Sequence, residues 1–291
     1  MKKLFYIFVF AMLVCVTSAF AQEPPQYIAS WSAAPWPLGM DFDNQGRLWV
    51  SHYGDLEISC YTNTGGLVGN YPVPWVNPYG VGAGNNVYVG SDRFGVATNN
   101  GCIPVGDFCP FQGELTDCHG VALDDNENIY IATTGSWIYK FSPAGVQLAA
   151  YNYAGQDVAV DHLGNIYIMY DHNITKLTSD GVEIRHWDGT DSPAGRLSAA
   201  EGIGLDRFGN VYVADTGNNR VVVFDTNGNY LTHWGIHGSG PGEFRQVEDV
   251  AVDDNGYIYV ADAFNGRIQK FGYLPTPTKP TTWGHLKSLY R

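Results

Sequence analysis

Six residues of this chain stand where chemistry is most easily done: Leu38, Tyr79, His119, Gln156, Glu201 and Glu248. Each immediately precedes a Gly or Asp that opens a short apolar run, read as GMDFD, GVGAG, GVALD, DVAVD, GIGLD and DVAVD. Two carboxylates, an imidazole, an amide and a phenol, gathered at one place, would form a polar rim able to hydrogen-bond a ligand. His119 with Glu201 and Glu248 could also supply a mixed N and O ligand set for a divalent metal. The remaining histidines fall elsewhere. His162, His172, His186, His233 and His237 lie in expected turns or outer strands, and His52 reads as a solvent-facing loop residue after a strand. No phosphate loop, nucleophile elbow or kinase signature is present.

What must position those six residues is a repeat. Each apolar run is followed by a turn and a second run: RLWVSHY, NVYVGSD, NIYIATT, NIYIMYD, NVYVADT and YIYVADA. Alternation of β-branched or aromatic with small residues is the period of a strand. The intervening DNQG, DDNEN, DHLG, DRFG and DDNG are tight-turn compositions in which Asn or Gly supplies a positive φ. DDNEN and DDNGY lack the alternating ligands and distal Glu of a calcium loop, and read as turns. Arg220 and Arg267 follow Asp215 and Asp262 by five residues and are expected to pair with them across a hairpin. Recurrence at about 40-residue intervals is the signature of a β-propeller.

The fold expected is therefore all-β, a propeller of six four-stranded antiparallel blades spanning residues 27–273. The last unit lacks a fourth strand after RIQKFG, and YIASW at 27–31 reads like the fourth strands YLTHW and VEIRHW. Placed beside 267–272, it would complete the last blade and remove an exposed edge. The six residues named above would then face one another at the channel mouth, where propeller ligands usually bind. Strand-start residues also satisfy backbone groups of neighbouring blades, and the sequence leaves both roles open.

The string GIGLDRFGNVYVADTGNNRVVVFDTNGNYLTHWGIHGSGPGEF, with DVAVDDNGYIYVADAFNGRIQKFG, resembles the NHL repeat family of six-bladed propellers. That resemblance implies a binding scaffold in most members and an enzyme in a minority. Lyase-type relatives hold zinc with histidines from separate blades, a pattern that Leu38 and Gln156 break here. PLGMDFDNQGRLWVS is similar to the repeat of streptogramin-lyase-like propellers, which use more blades and a catalytic His. Calcium-dependent lactonase relatives would need an oxygen-donor cage that Leu38 interrupts.

The ends and the charge bound the setting. MKKLFYIFVFAMLVCVTSAFA reads as a signal peptide over residues 1–21, with small residues Ala19 and Ala21 before the cleavage point. Its apolar run is short for a membrane span. Secreted or periplasmic placement follows as an expectation, with no span left after cleavage. Without Lys2 and Lys3 the 16 basic residues fall to 14 against 29 acids, a net charge of about −15. Such a surface repels nucleic acid and anionic lipid. Cys60, Cys102, Cys109 and Cys118 remain, an even number in an exported protein, and a Cys109–Cys118 disulfide beside His119 is expected, with Cys102 as the alternative partner. Residues 274–291 change composition to a Pro/Thr spacer and a short apolar and basic tail.

The functional expectation is an extracytoplasmic, monomeric binding scaffold for a peptide, protein or glycan, with Tyr79, His119, Gln156, Glu201 and Glu248 at the mouth and no cofactor. The alternative is a metal-dependent lyase or hydrolase at the same place, using His119, Glu201 and Glu248.

Overall fold

In the computed structural model the described residues are 22–55, 57–73, 78–91 and 118–273, with the backbone alone of 95–99. The signal segment, Cys102, Cys109 and the tail lie outside them.

The chain is an all-β propeller. Among the described residues there are five four-stranded sheets and one three-stranded sheet, antiparallel throughout. The innermost strands are Pro37–Phe42, Val81–Ala83, Cys118–Leu123, Asp157–Val160, Gly202–Leu205 and Val247–Val252. Each packs against the next, and Val247–Val252 packs against Pro37–Phe42. The strand Gln26–Ser32 runs antiparallel to Arg267–Gly272, with Trp31 opposite Ile268.

Two features of the repeat explain why it is a repeat. The first is the turn between the inner strand and the second strand. In DHLG the Asp161 carboxylate accepts the N–H groups of Leu163 (3.0 Å) and Asn165 (2.9 Å), and Asp43, Asp206 and Asp253 do the same in their turns. These side chains substitute for a backbone acceptor and fix a tight hairpin. In DDNEN and DDNGY the first acid, Asp124 or Asp253, is spent in this way, as their composition suggested. Where these four turns place Gly at positive φ, the third unit places Glu127 at φ 62°, so the left-handed position there is held by neither Asn nor Gly. Glu127 gains partners in return, accepting from the Asn85 N–H at 3.1 Å and the Asn44 side chain at 3.0 Å.

The second feature is the aromatic residue of the second strand: Trp49, Tyr88, Tyr130, Tyr167, Tyr212 and Tyr259, all buried. The indole of Trp49 donates to Asp43 at 2.9 Å and the hydroxyl of Tyr259 to Asp253 at 2.9 Å. An aromatic body thus fills the space between sheets while its polar end meets the turn acid. Burial drives the Tyr130, Tyr167, Tyr212 and Tyr259 hydroxyls far above the ordinary phenol range, so they stay protonated donors.

The core lies between sheets rather than within one. Six apolar clusters are described, each shared by two neighbouring sheets; Met40, Leu48 and Val50, for instance, pack against Ala251, Tyr259 and Ile268. The expected pairs Arg220–Asp215 (2.6 Å) and Arg267–Asp262 (2.7 Å) form across hairpins, with both acids fully buried. One expectation fails. His52 belongs to the strand Leu48–His52 and is fully buried, not solvent-facing; its Nε2 meets the Ser59 hydroxyl at 2.7 Å. Every residue of that strand is buried, on both faces of the sheet, His52 included, and burial lowers its pKa to about 4.

Candidate functional site

All six residues picked out by the register line one cavity of about 570 Å³ at the strand-start end of the inner strands. The inner-strand hydrogen bonds put them there. The Tyr79 N–H donates to Gly90 O at 2.7 Å, that of Gln156 to Met169 O at 2.8 Å and that of Glu201 to Ala214 O at 3.2 Å, so each residue is pinned where its blade begins. Glycine follows four of the six because the next inner strand comes too close for a side chain. A Cβ on Gly80 would collide with the carbonyl oxygen of His119.

Around the rim the side chains pair with their neighbours. The rings of Tyr79 and His119 are stacked, with centroids 4.4 Å apart and planes 7° from parallel. Gln156 Nε2 donates to Glu201 Oε2 at 2.9 Å, while its Oε1 accepts the Asp171 N–H at 2.5 Å. Gln246 Nε2 donates to Glu248 Oε1 at 2.5 Å. Glu201 is pushed up to about 7 by burial, then by the nearby carboxylates of Glu248 and Asp171. Glu248 is also raised by burial.

Below the rim lies a set of acids that the register did not single out. Asp41, Asp157 and Asp249 line the same cavity and belong to the inner strands. Each bridges to the next blade through a backbone donor. Asp41 accepts from Ala83 at 2.8 Å, Asp157 from Ile203 at 2.8 Å and Asp249 from Met40 at 2.6 Å. Each also accepts the N–H of the residue after it. Burial raises all three, Asp41 to about 7, and their mutual repulsion adds to it for Asp157 and Asp249. The N–H donors oppose that rise without cancelling it. The sequence signal was present: an Asp inside an otherwise apolar innermost strand.

Three aromatic side chains also went unread: Trp36, Tyr53 and Phe264 line the cavity and are exposed at 46%, 40% and 52%. Trp36 lies 5.6 Å from Tyr53 and 6.2 Å from Phe264, centroid to centroid. They come from three separate segments, and no spacing in the sequence connects them.

His119, Glu201 and Glu248 share the cavity, but among the described residues no three His, Cys, Asp or Glu side chains converge as a metal-ligand set. Cys118 is buried at the start of its inner strand; its expected partner Cys109 lies outside the described residues. Among those residues no helix is long and apolar enough to cross a membrane.

Residues 205–276 match a family model described as a 6-bladed beta-propeller. No curated protein sequence matches. Solved structures that the chain resembles include a streptogramin B lyase, at 14% identity and TM-score 0.56 over 86% of this chain and 96% of that one. An auxiliary nutrient binding protein from Bacteroides thetaiotaomicron matches at 13% identity and TM-score 0.64 over 83% and 70%. A structural genomics protein of unknown function from the same organism matches at 15% identity and TM-score 0.65 over 87% and 73%. At such identities the likeness is one of fold, and the fold is the β-propeller.

Proposed function

We propose that this chain is an extracytoplasmic, six-bladed propeller of the NHL repeat type that works as a binding scaffold for a peptide, protein or glycan, with the channel mouth as its site. The three-stranded sheet is read as the second blade, and Gln26–Ser32 as the strand that completes the last blade. One observation carries the functional reading. The six positions at which the repeat units differ in chemistry line a single cavity, whereas the shared turn acids and second-strand aromatics are occupied by turns and packing. Regularity serves the fold, and departure from it at one common place suits a ligand.

The enzymatic alternative draws on Glu201. A carboxyl held near 7 in a cavity is suited to proton transfer at neutral pH. The carboxyls of Asp41, Asp157, Glu248 and Asp249 line the same cavity and would be its candidate partners in such a reaction.

The test is a pair of arrays, one of peptides and one of oligosaccharides, probed with the wild-type protein and with a Glu201→Gln, Glu248→Gln, His119→Ala triple variant. The proposal expects a class of array features bound by the wild type and lost in the variant. Features bound equally by both would place recognition away from the mouth.

A further inference from the structure

The cavity's electrostatics narrow the ligand. Five carboxyl groups line it, those of Asp41, Asp157, Glu201, Glu248 and Asp249, and no Lys or Arg is among the lining residues. Among the described lining residues the one basic side chain is His119, which is stacked on Tyr79. Charges confined between low-dielectric walls act more strongly than at an open surface. Among the described residues the partners of these acids are neutral donors, backbone N–H groups for the three aspartates and amide side chains for the two glutamates, so an incoming cation is the group that would favour their ionised forms.

The second observation is the wall of aromatic rings formed by Trp36, Tyr53 and Phe264 at the edge of the same cavity. It is held beside the Glu248 corner. The N–H groups of Ala263 and Phe264 donate to the carbonyls of Gln246 and Arg245, at 3.0 and 3.1 Å. Arg245 itself is exposed and outside the lining. Trp36 is set between Pro35 and Pro37 with φ at 54°, and Gln246, which holds Glu248, has φ at 63°. Both are in the left-handed region that bulky side chains avoid, and such strain persists where the surrounding structure fixes it. Aromatic faces attract cations, and more so when the cation is partly desolvated.

We infer that the channel mouth takes an alkylammonium group, its charged head at Glu201 and Glu248 and its apolar stem along the wall of Trp36, Tyr53 and Phe264. This rests on the mouth being the binding site, as proposed above. The same chemistry is presented by a lysine side chain on a peptide and by a free aliphatic amine.

Isothermal titration of the full chain distinguishes the sources and the failures. The probes are acetyl-Gly-Lys-Gly-amide, its Nε-acetylated twin, the diamine cadaverine and the neutral sugar cellotetraose. The inference expects the lysine peptide or cadaverine to bind, whichever is tighter naming the source, and the acetylated twin to bind at least tenfold more weakly. It also expects a loss of at least tenfold for Glu201→Gln with Glu248→Gln, and a smaller loss for Trp36→Ala. Acetylation alters the probe and not the protein, so it decides the matter even if a variant unfolds. Equal affinity for the two peptides overturns the inference, as does absence of binding by both amines. Binding of cellotetraose alone, lost in the double variant, would overturn the cationic ligand while leaving the mouth as the binding site; array features bound equally by wild type and triple variant would remove the mouth itself.

Discussion

The carboxylate of Asp249 accepts the backbone N–H of Met40 at 2.6 Å, joining innermost strands 209 positions apart in the chain. It is an acid of the last sheet serving a donor of the first, and it also holds the N–H of Val250 at 2.7 Å. Replacement by alanine leaves two donors facing a water-poor cavity wall. At roughly 1–3 kcal/mol for each unsatisfied group, Asp249→Ala is expected to lose about 2–5 kcal/mol in urea unfolding. Asp249→Asn, which keeps one acceptor oxygen, should lose less than half as much.

The pH dependence of stability follows from the same acids. Asp41 and Glu201 have folded pKa values of about 7, well above those of an unfolded chain, and Asp157 and Asp249 are raised as well. The folded protein therefore holds protons that the unfolded chain has released. Their contribution is fully present below about pH 4 and is lost as pH rises toward 7. His52 works in the opposite sense: its folded pKa of about 4 means that it is stabilising above pH 6.5 and costs stability as pH falls. With Glu248 also raised, five carboxyls stand against the two lowered imidazoles of His52 and His233, and denaturant midpoints should decline between pH 5 and 7.5. Asp41→Asn should flatten that decline by up to about 2.5 kcal/mol; an unchanged slope would show that Asp41 ionises normally.

His52 offers a separate check. Its Nε2 sits 2.7 Å from Ser59, which in turn donates to Asn70 at 2.9 Å. NMR titration should find the imidazole neutral down to about pH 5, and His52→Ala should cost about 2–4 kcal/mol by leaving a cavity and an unpaired hydroxyl. A ring titrating near 6.5 would return His52 to the solvent-facing role its position first suggested.

How much of this was legible in the sequence depends on whether the cause is local. Strand period and turn composition are local, so the strands and the hairpins around Asp161, Asp206 and Asp253 could be read directly. The rim residues were found through register, because copies of one unit place equivalent residues at equivalent points. Asp41, Asp157 and Asp249 escaped because their partners, Ala83, Ile203 and Met40, lie in other units. The Trp36, Tyr53 and Phe264 wall escaped for the same reason. His52 was misread because the strand extends to it and is buried on both faces, so that neither direction faces solvent.

The strand Gln26–Ser32 is the fourth member of the last sheet, and Trp31 packs against Tyr259 at 6.0 Å and Tyr61 at 6.3 Å. Removing residues 22–32 would bare the edge Arg267–Gly272 and forfeit about 3–8 kcal/mol of burial. Such a protein should elute as aggregate in gel filtration. A monomeric, cooperatively unfolding truncation would contradict six-bladed closure by this strand.

Recognition at the channel mouth is tested most directly by the binding of wild-type protein and of the Glu201→Gln, Glu248→Gln, His119→Ala variant to the same peptide and oligosaccharide arrays. Loss of the bound class in the variant, with its thermal unfolding still cooperative, is the predicted result. Identical binding patterns for the two folded proteins would contradict it.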